Sequence, residues 1–293
     1  MGPCCWSGKT PPRTWQRRGV RYKQFIMKVG LCTIAYREWP LPRVLDLAAA
    51  IGFDGIELWG QPPHLPENPT PEEIARIREE IDQRGLAVAM FGSYLRSTAE
   101  DFAAEAEAVL QVTRGLGTRL VRVWAGQVGS ERADESVWEL SVRNLQTLCN
   151  QAAEHGIAVA LERHENTLTD RLEGAERLLE RVGRDNLGLN YQIVQGEDTA
   201  VVGQGIRRVG QHILNVHAQN VQRQPDGSFR RADLRTGDVD YRQLVAALGE
   251  VGFEGYLEIE FVRRGTQQEG LSAPEKESAL RADYEFLREI LTP

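Results

Sequence analysis

Four short segments in the second half of the chain each end in a side chain able to hold a metal ion or carry a proton. They are Leu161-Glu162-Arg163-His164, Leu189-Asn190-Tyr191-Gln192, Asn215-Val216-His217 and Leu257-Glu258-Ile259-Glu260. If these are neighbouring parallel strands, Glu162, Gln192, His217 and Glu260 meet in one pocket. Two carboxylates, an imidazole and an amide oxygen suit a hard divalent cation such as Mn²⁺ or Mg²⁺. Such a cation, chelated by a carbonyl and an adjacent hydroxyl oxygen, acts as a Lewis acid while a carboxylate removes the proton between them. Return of that proton elsewhere is isomerisation or epimerisation, and loss of a β-hydroxyl is dehydration. Gln192 is the odd member, because a third carboxylate is expected there.

The elements that must position these groups are legible. From Lys28 onward, apolar runs alternate with helix-period stretches. The strand candidates are Val29–Thr33, Gly55–Trp59, Ala87–Phe91, Leu120–Trp124, Ala158–Glu162, Leu187–Tyr191, Ile213–His217 and Tyr256–Phe261. One helix opens at Thr70-Pro71-Glu72-Glu73, a capping box with proline in the first turn. It carries Ile74, Ile77 and Ile81 on one face and ends at Gly85. A second runs from about Ser136 to His155, before Gly156, and a last one from Ser278 to Leu291. Eight strand–helix units in about 265 residues predict a single (β/α)8 TIM barrel of class α/β. A doubly wound open sheet is the runner-up, weakened by the lack of a glycine-rich phosphate loop after the first strand.

In such a barrel the active site lies at the carboxyl ends of the strands. Period-two alternation turns Glu258 and Glu260 to one face and Leu257, Ile259 and Phe261 to the other. The apolar side belongs against helices, so both glutamates are expected inside. Glu260 is read as functional and Glu258 as a partner of an inward arginine. Glu57, His64, Trp124 and His164, at or beyond other strand ends, are expected to bind substrate. His155 and His212 receive no function.

The chain has 293 residues, 41% of them hydrophobic, and a net charge of −7. Residues 1–26 contain six Lys or Arg and no acid, so they carry +6 and the body carries −13. An acidic body argues against nucleic acid as a partner. No run is long enough to span a membrane, and no apolar signal core precedes Met27. Residues 1–26 are read as a disordered basic tail or non-native start, and residues 27–293 as one barrel. Four cysteines without metal-ligand spacing suit a reduced, cytoplasmic protein.

Gly52-Phe-Asp-Gly-Ile-Glu-Leu-Trp59, Leu161-Glu162-Arg-His164, Asn215-Val-His217-Ala-Gln-Asn220, Gly237-Asp-Val-Asp-Tyr241 and Gly255-Tyr-Leu-Glu-Ile-Glu260 resemble the xylose isomerase-like TIM-barrel superfamily of sugar phosphate isomerases and epimerases. The resemblance covers residues 27–293. It implies metal ligands at Glu162, Gln192, His217 and Glu260, with the two glutamates as acid and base on a sugar or polyol. It also implies a substrate-binding Arg223 and a homodimer. Where the family has ionisable side chains, this chain has Gln192, Gln195 and Asn220. Two negative charges against the ion in place of three predict metal binding weaker than is usual for the family, or none. The leading expectation is an isomerase or epimerase. A dehydratase or a non-catalytic polyol-binding barrel is the alternative, and a nuclease is disfavoured.

Overall fold

The structure, a computed structural model, describes residues 27–194, 196–261 and 271–292. The basic segment 1–26 and Gln195 lie outside them. Eight parallel strands close into a barrel: β1 (Lys28–Cys32), β2 (Gly55–Trp59), β3 (Ala87–Arg96), β4 (Leu120–Trp124), β5 (Ala158–Glu162), β6 (Leu187–Tyr191), β7 (Ile213–Ala218) and the last, β10 (Tyr256–Ile259). Each neighbours the next, and β10 returns to β1. Closure excludes the open doubly wound sheet. Around the barrel stand α1 (Leu41–Ile51), α2 (Pro71–Asp82), α3 (Phe102–Gly115), α4 (Glu135–Ala153), α5 (Leu172–Val182), α6 (Thr199–Val209), α7 (Tyr241–Glu250) and α8 (Ala273–Leu291).

Local chemistry explains the boundaries. Thr70 and Glu73 form the expected capping box of α2. Asp134 and Asp198 cap α4 and α6 by accepting the amides of Val137 and Val201. Most boundaries lie within three residues of expectation, and two differ by five. β3 runs on to Arg96 instead of stopping at Phe91. α8 starts at Ala273 instead of Ser278, because Ser272 and Glu275 form a second capping box with proline in the first turn.

An antiparallel hairpin of β8 (Asn220–Arg223) and β9 (Phe229–Ala232) interrupts the β7-to-α7 connection. Asn220 anchors it: its amide nitrogen donates to the carbonyls of Leu234 (3.1 Å) and Val239 (2.8 Å), and its oxygen accepts from two backbone amides. That makes Asn220 a structural clasp, not a ligand.

The apolar core lies between strands and helices. Val121, Val123, Val159, Leu161, Leu257 and Ile259 face outward against helix residues such as Leu45, Leu145, Leu178, Leu248 and Leu287. Each such side chain, fully buried, contributes about 1.5–3 kcal/mol. The lumen, by contrast, is polar. Glu57, Arg122, Glu162, Asn190, Asn215, His217 and Glu258 are all buried and bond within the lumen, Glu57 reaching Arg122 and His217 across strands that are not its neighbours. Glycines make the room. A Cβ on Gly92 would collide with the Glu57 carboxylate, and one on Gly30 would sit 2.8 Å from Glu258 Cγ.

Candidate active site

At the centre is His217 on β7. Its Nε2 lies 2.5 Å from Glu57 Oε2, and a carboxylate accepts, so the proton belongs on Nε2. Nδ1 then faces Glu162 Oε1 at 3.7 Å and Glu260 Oε2 at 3.6 Å. Both Nδ1 and Glu260 Oε2 are buried without a hydrogen-bond partner. Unpartnered buried acceptors converging on one point are chemically suited to a divalent cation. One ligand atom each from Glu162, His217 and Glu260 lies within 4.8 Å of the others. Two carboxylates and an imidazole, the latter oriented by a third carboxylate, that of Glu57, fit a divalent ion. These three expected ligands meet.

Gln192, the expected fourth ligand, arrives differently. Its Nε2 donates to the Arg163 carbonyl (2.6 Å) and to Glu162 Oε1 (3.2 Å), while its oxygen accepts from Gln219 Nε2 at 2.8 Å. A carbonyl and a carboxylate can only accept, which fixes the amide with nitrogen toward the site. Gln192 thus holds Glu162 by a hydrogen bond and offers the cation no oxygen. Gln219 in turn accepts from Arg231 Nη1. A file of donors, Arg231 to Gln219 to Gln192 to Glu162, runs from the hairpin to the barrel centre.

Arg122, inward on β4, sets the electrostatics. Its Nη1 lies 2.5 Å from Glu162 Oε2 and its Nε 3.4 Å from Glu57 Oε1. Burial works to raise the Glu162 pKa, but Arg122, with His217, outweighs it and brings it down to about 2. Glu57 is lowered likewise, burial being overcome by His217 and Arg122. Glu260 is raised, first by burial and then by Glu162, against opposition from His217 and Arg231. Glu258 is raised well above the carboxylate range by burial and by Glu57, and is held by Asn215 Nδ2 at 2.6 Å. The inward arginine expected for Glu258 serves Glu57 and Glu162 instead.

The expected substrate-binding residues divide. His164 lines a cavity of about 120 Å³ with Gln192, Gln219, Phe229 and Arg231. Its ring packs on Trp124 at 4.5 Å, and its Nδ1 lies 2.9 Å from the Glu165 carbonyl. Trp124 keeps an unpartnered Nε1 and stacks on Tyr94. Glu57 does not reach the cavity; it is buried behind His217. His64 is also buried, with its ring nitrogens against Thr33 Oγ1 (2.9 Å) and the Trp39 carbonyl (3.1 Å), and it supports the loop after β2. Arg223 is exposed on β8 and lies over the Phe229 ring at 5.0 Å. The arginines that line the cavity are Arg163, from the end of β5, and Arg231, from the hairpin.

The xylose isomerase-like TIM barrel family model matches residues 45–290. The chain belongs to this family. A 3-dehydroshikimate dehydratase of Bacillus anthracis is 30% identical over 233 residues, 73% of this chain and 81% of that protein. An inosose dehydratase of Geobacillus thermodenitrificans is 24% identical, covering 92% of this chain and 98% of its own length. A D-psicose 3-epimerase structure from Clostridium cellulolyticum superposes with a TM-score of 0.71 at 18% identity, over 90% of this chain and 99% of that one. The two sequence relatives are dehydratases by name, and a protein of Mus musculus, a hydroxypyruvate isomerase by name alone, is 28% identical over 57% of this chain and 62% of that protein. Among the described residues no helix is long and apolar enough to cross a membrane.

Proposed function

We propose that this chain is a lyase that removes water from a small polyhydroxylated ketone. The observation that supports this reading over epimerisation is the state of Glu162. Both of its oxygens are held by donors, Oε2 by Arg122 at 2.5 Å and Oε1 by Gln192 at 3.2 Å. Epimerisation with Glu162 and Glu260 as partners requires each to take up and release a proton. A carboxylate locked to a buried guanidinium is a poor proton acceptor. Elimination on one face needs a single carrier, and His164 is suited to it. With Nδ1–H donated to the Glu165 carbonyl, Nε2 has the lone pair of a general base.

The proton next to the carbonyl passes to His164 Nε2, and the C–H electron pair moves into an enolate. That pair then forms the carbon–carbon double bond as the β-hydroxyl leaves. His164, now imidazolium, gives the leaving oxygen its proton, so water departs and the enzyme is restored. Glu162, His217 and Glu260 are the residues that would hold a divalent cation, whose contribution is Lewis-acid stabilisation of the enolate oxygen. The raised pKa of Glu260 supports isomerisation as a second reading, since it supplies another proton carrier.

Incubation with 3-dehydroshikimate, inosose and 2-oxo-tetronate, followed by ultraviolet absorbance and by solvent deuterium uptake, separates the readings. Water loss with a new conjugated chromophore is expected for one of the ketones. Deuterium uptake into recovered or isomerised substrate without water loss would replace the lyase with an isomerase. His164→Gln is expected to lower elimination by about 10²–10⁴-fold, with Mn²⁺ binding unchanged.

A further inference from the structure

We propose that Cys32, Glu57 and His217 form a second cation site in the lumen, selective for a thiophilic ion such as Zn²⁺, whose occupancy takes His217 away from Glu162 and Glu260. This rests on that ligand set and not on the lyase reaction. One ligand atom each from Cys32, Glu57 and His217 lies within 4.8 Å of the others. All three side chains are buried. No spacing in the sequence marks them as a set, because they lie on β1, β2 and β7. Cys32 is in register with Glu57 on the neighbouring strand, so thiol and carboxylate stand at one height. Gly30 shares the inward face of β1, and a Cβ there would sit 2.8 Å from Glu258 Cγ. At this level β1 sends nothing bulkier than a thiol into the lumen.

The donors decide which ion is held. Thiolate and imidazole select Zn²⁺, whereas carboxylates with a single imidazole suit Mn²⁺ or Mg²⁺. Glu57 Oε1 is a buried acceptor without a hydrogen bond, with Arg122 Nε at 3.4 Å. His217 Nε2 faces Glu57 Oε2, which suits a proton there, but also Asn190 Nδ2 at 3.0 Å, which suits a lone pair. When Zn²⁺ enters, the Cys32 thiol loses its proton to solvent and a sulfur–zinc bond replaces S–H. The Nε2 proton is exchanged for one on Nδ1, which then donates toward Glu162 Oε1 or Glu260 Oε2. The lumen gains one positive charge, and its four carboxylates outnumber the Arg122 guanidinium. A neutral imidazole has one lone pair in the ring plane, so His217 serves one ion at a time.

The test uses the full chain, freed of metal by a chelator, with Co²⁺ as the coloured stand-in for Zn²⁺. Thiolate bound to Co²⁺ gives an intense near-ultraviolet charge-transfer band that oxygen and nitrogen ligands do not give. Wild type is expected to show this band with a single equivalent of Co²⁺, and added Zn²⁺ to abolish it. Cys32→Ser should lose the band, while Cys149→Ser and the double variant Cys4→Ser/Cys5→Ser keep it. Mn²⁺ binding to Cys32→Ser, followed by calorimetry, should match wild type and so show that the variant is folded; Cys32→Ala supplies the same reading if serine disturbs the lumen. In Mn²⁺-loaded wild type, free Mn²⁺ seen by electron paramagnetic resonance should rise in step with the band. No band in wild type, a band that survives in Cys32→Ser, or one lost with Cys4 and Cys5 overturns the site. A band that grows while Mn²⁺ stays bound overturns the sharing of His217. Failure of the lyase assay leaves these outcomes intact, and success there does not supply them.

Discussion

Gln192 faces Glu162 with its amide nitrogen because the Arg163 carbonyl and the Gln219 side chain leave it no other orientation. Its identity was plain in the sequence, but its direction was not, since that depends on groups from two other segments. Arg122 was legible in principle. It alternates with Val121 and Val123 in Leu120–Trp124, and an inward arginine among inward glutamates is a pairing waiting to be read. Arg223 was misplaced because spacing after His217 locates a residue along the hairpin and says nothing of which strand turns inward. At this scale the prediction concerns Gln192→Asp. A third carboxylate in reach of His217 Nδ1 should tighten Mn²⁺ binding by about tenfold or more, as charge count tunes such sites. Calorimetric titration giving unchanged or weaker affinity would show that position 192 lies too far from the cation to ligate it.

Strands were the most readable elements, because each pairs an outward apolar face with a short length bounded by glycine or a helix cap. β2, β4, β5 and β6 have the expected limits, residue for residue. The β8–β9 hairpin was not anticipated, although Pro225-Asp226-Gly227 is a turn signal and the Gln224 amide reaches the Ser228 carbonyl at 2.8 Å across it. Its strands are short and polar, so no periodicity marks them. Glycine at position 92 of β3 tests how strands share the lumen. Gly92→Ala puts a methyl group where the Glu57 carboxylate lies. Glu57 must retreat, His217 loses the acceptor on Nε2, and Mn²⁺ affinity should fall by about 10–100-fold, as for other second-layer changes at metal sites. The far-ultraviolet spectrum should be unaltered. A variant binding Mn²⁺ as wild type does would show that Glu57 does not orient the imidazole.

The closed barrel as a whole follows from eight units of regular length, and that arithmetic needs no tertiary knowledge. What the arithmetic hides is how little of the lumen is apolar. In most such barrels, layers of branched side chains fill the interior. Here Glu57, Glu162, Glu258 and Glu260 share it with Arg122 and His217. Four acidic side chains and one guanidinium, out of reach of water, repel unless protons or a cation intervene. Mn²⁺ at a hundred times its dissociation constant should therefore stabilise the fold by about 2.7 kcal/mol, or roughly 5–10 °C in melting temperature, and a chelator should reverse it. A melting temperature indifferent to Mn²⁺ and chelator would mean that the native state does not bind the ion. A shift with Mn²⁺ would make folding and loading one linked equilibrium, in which a shortage of the ion lowers the amount of folded protein and abundance reports metal supply.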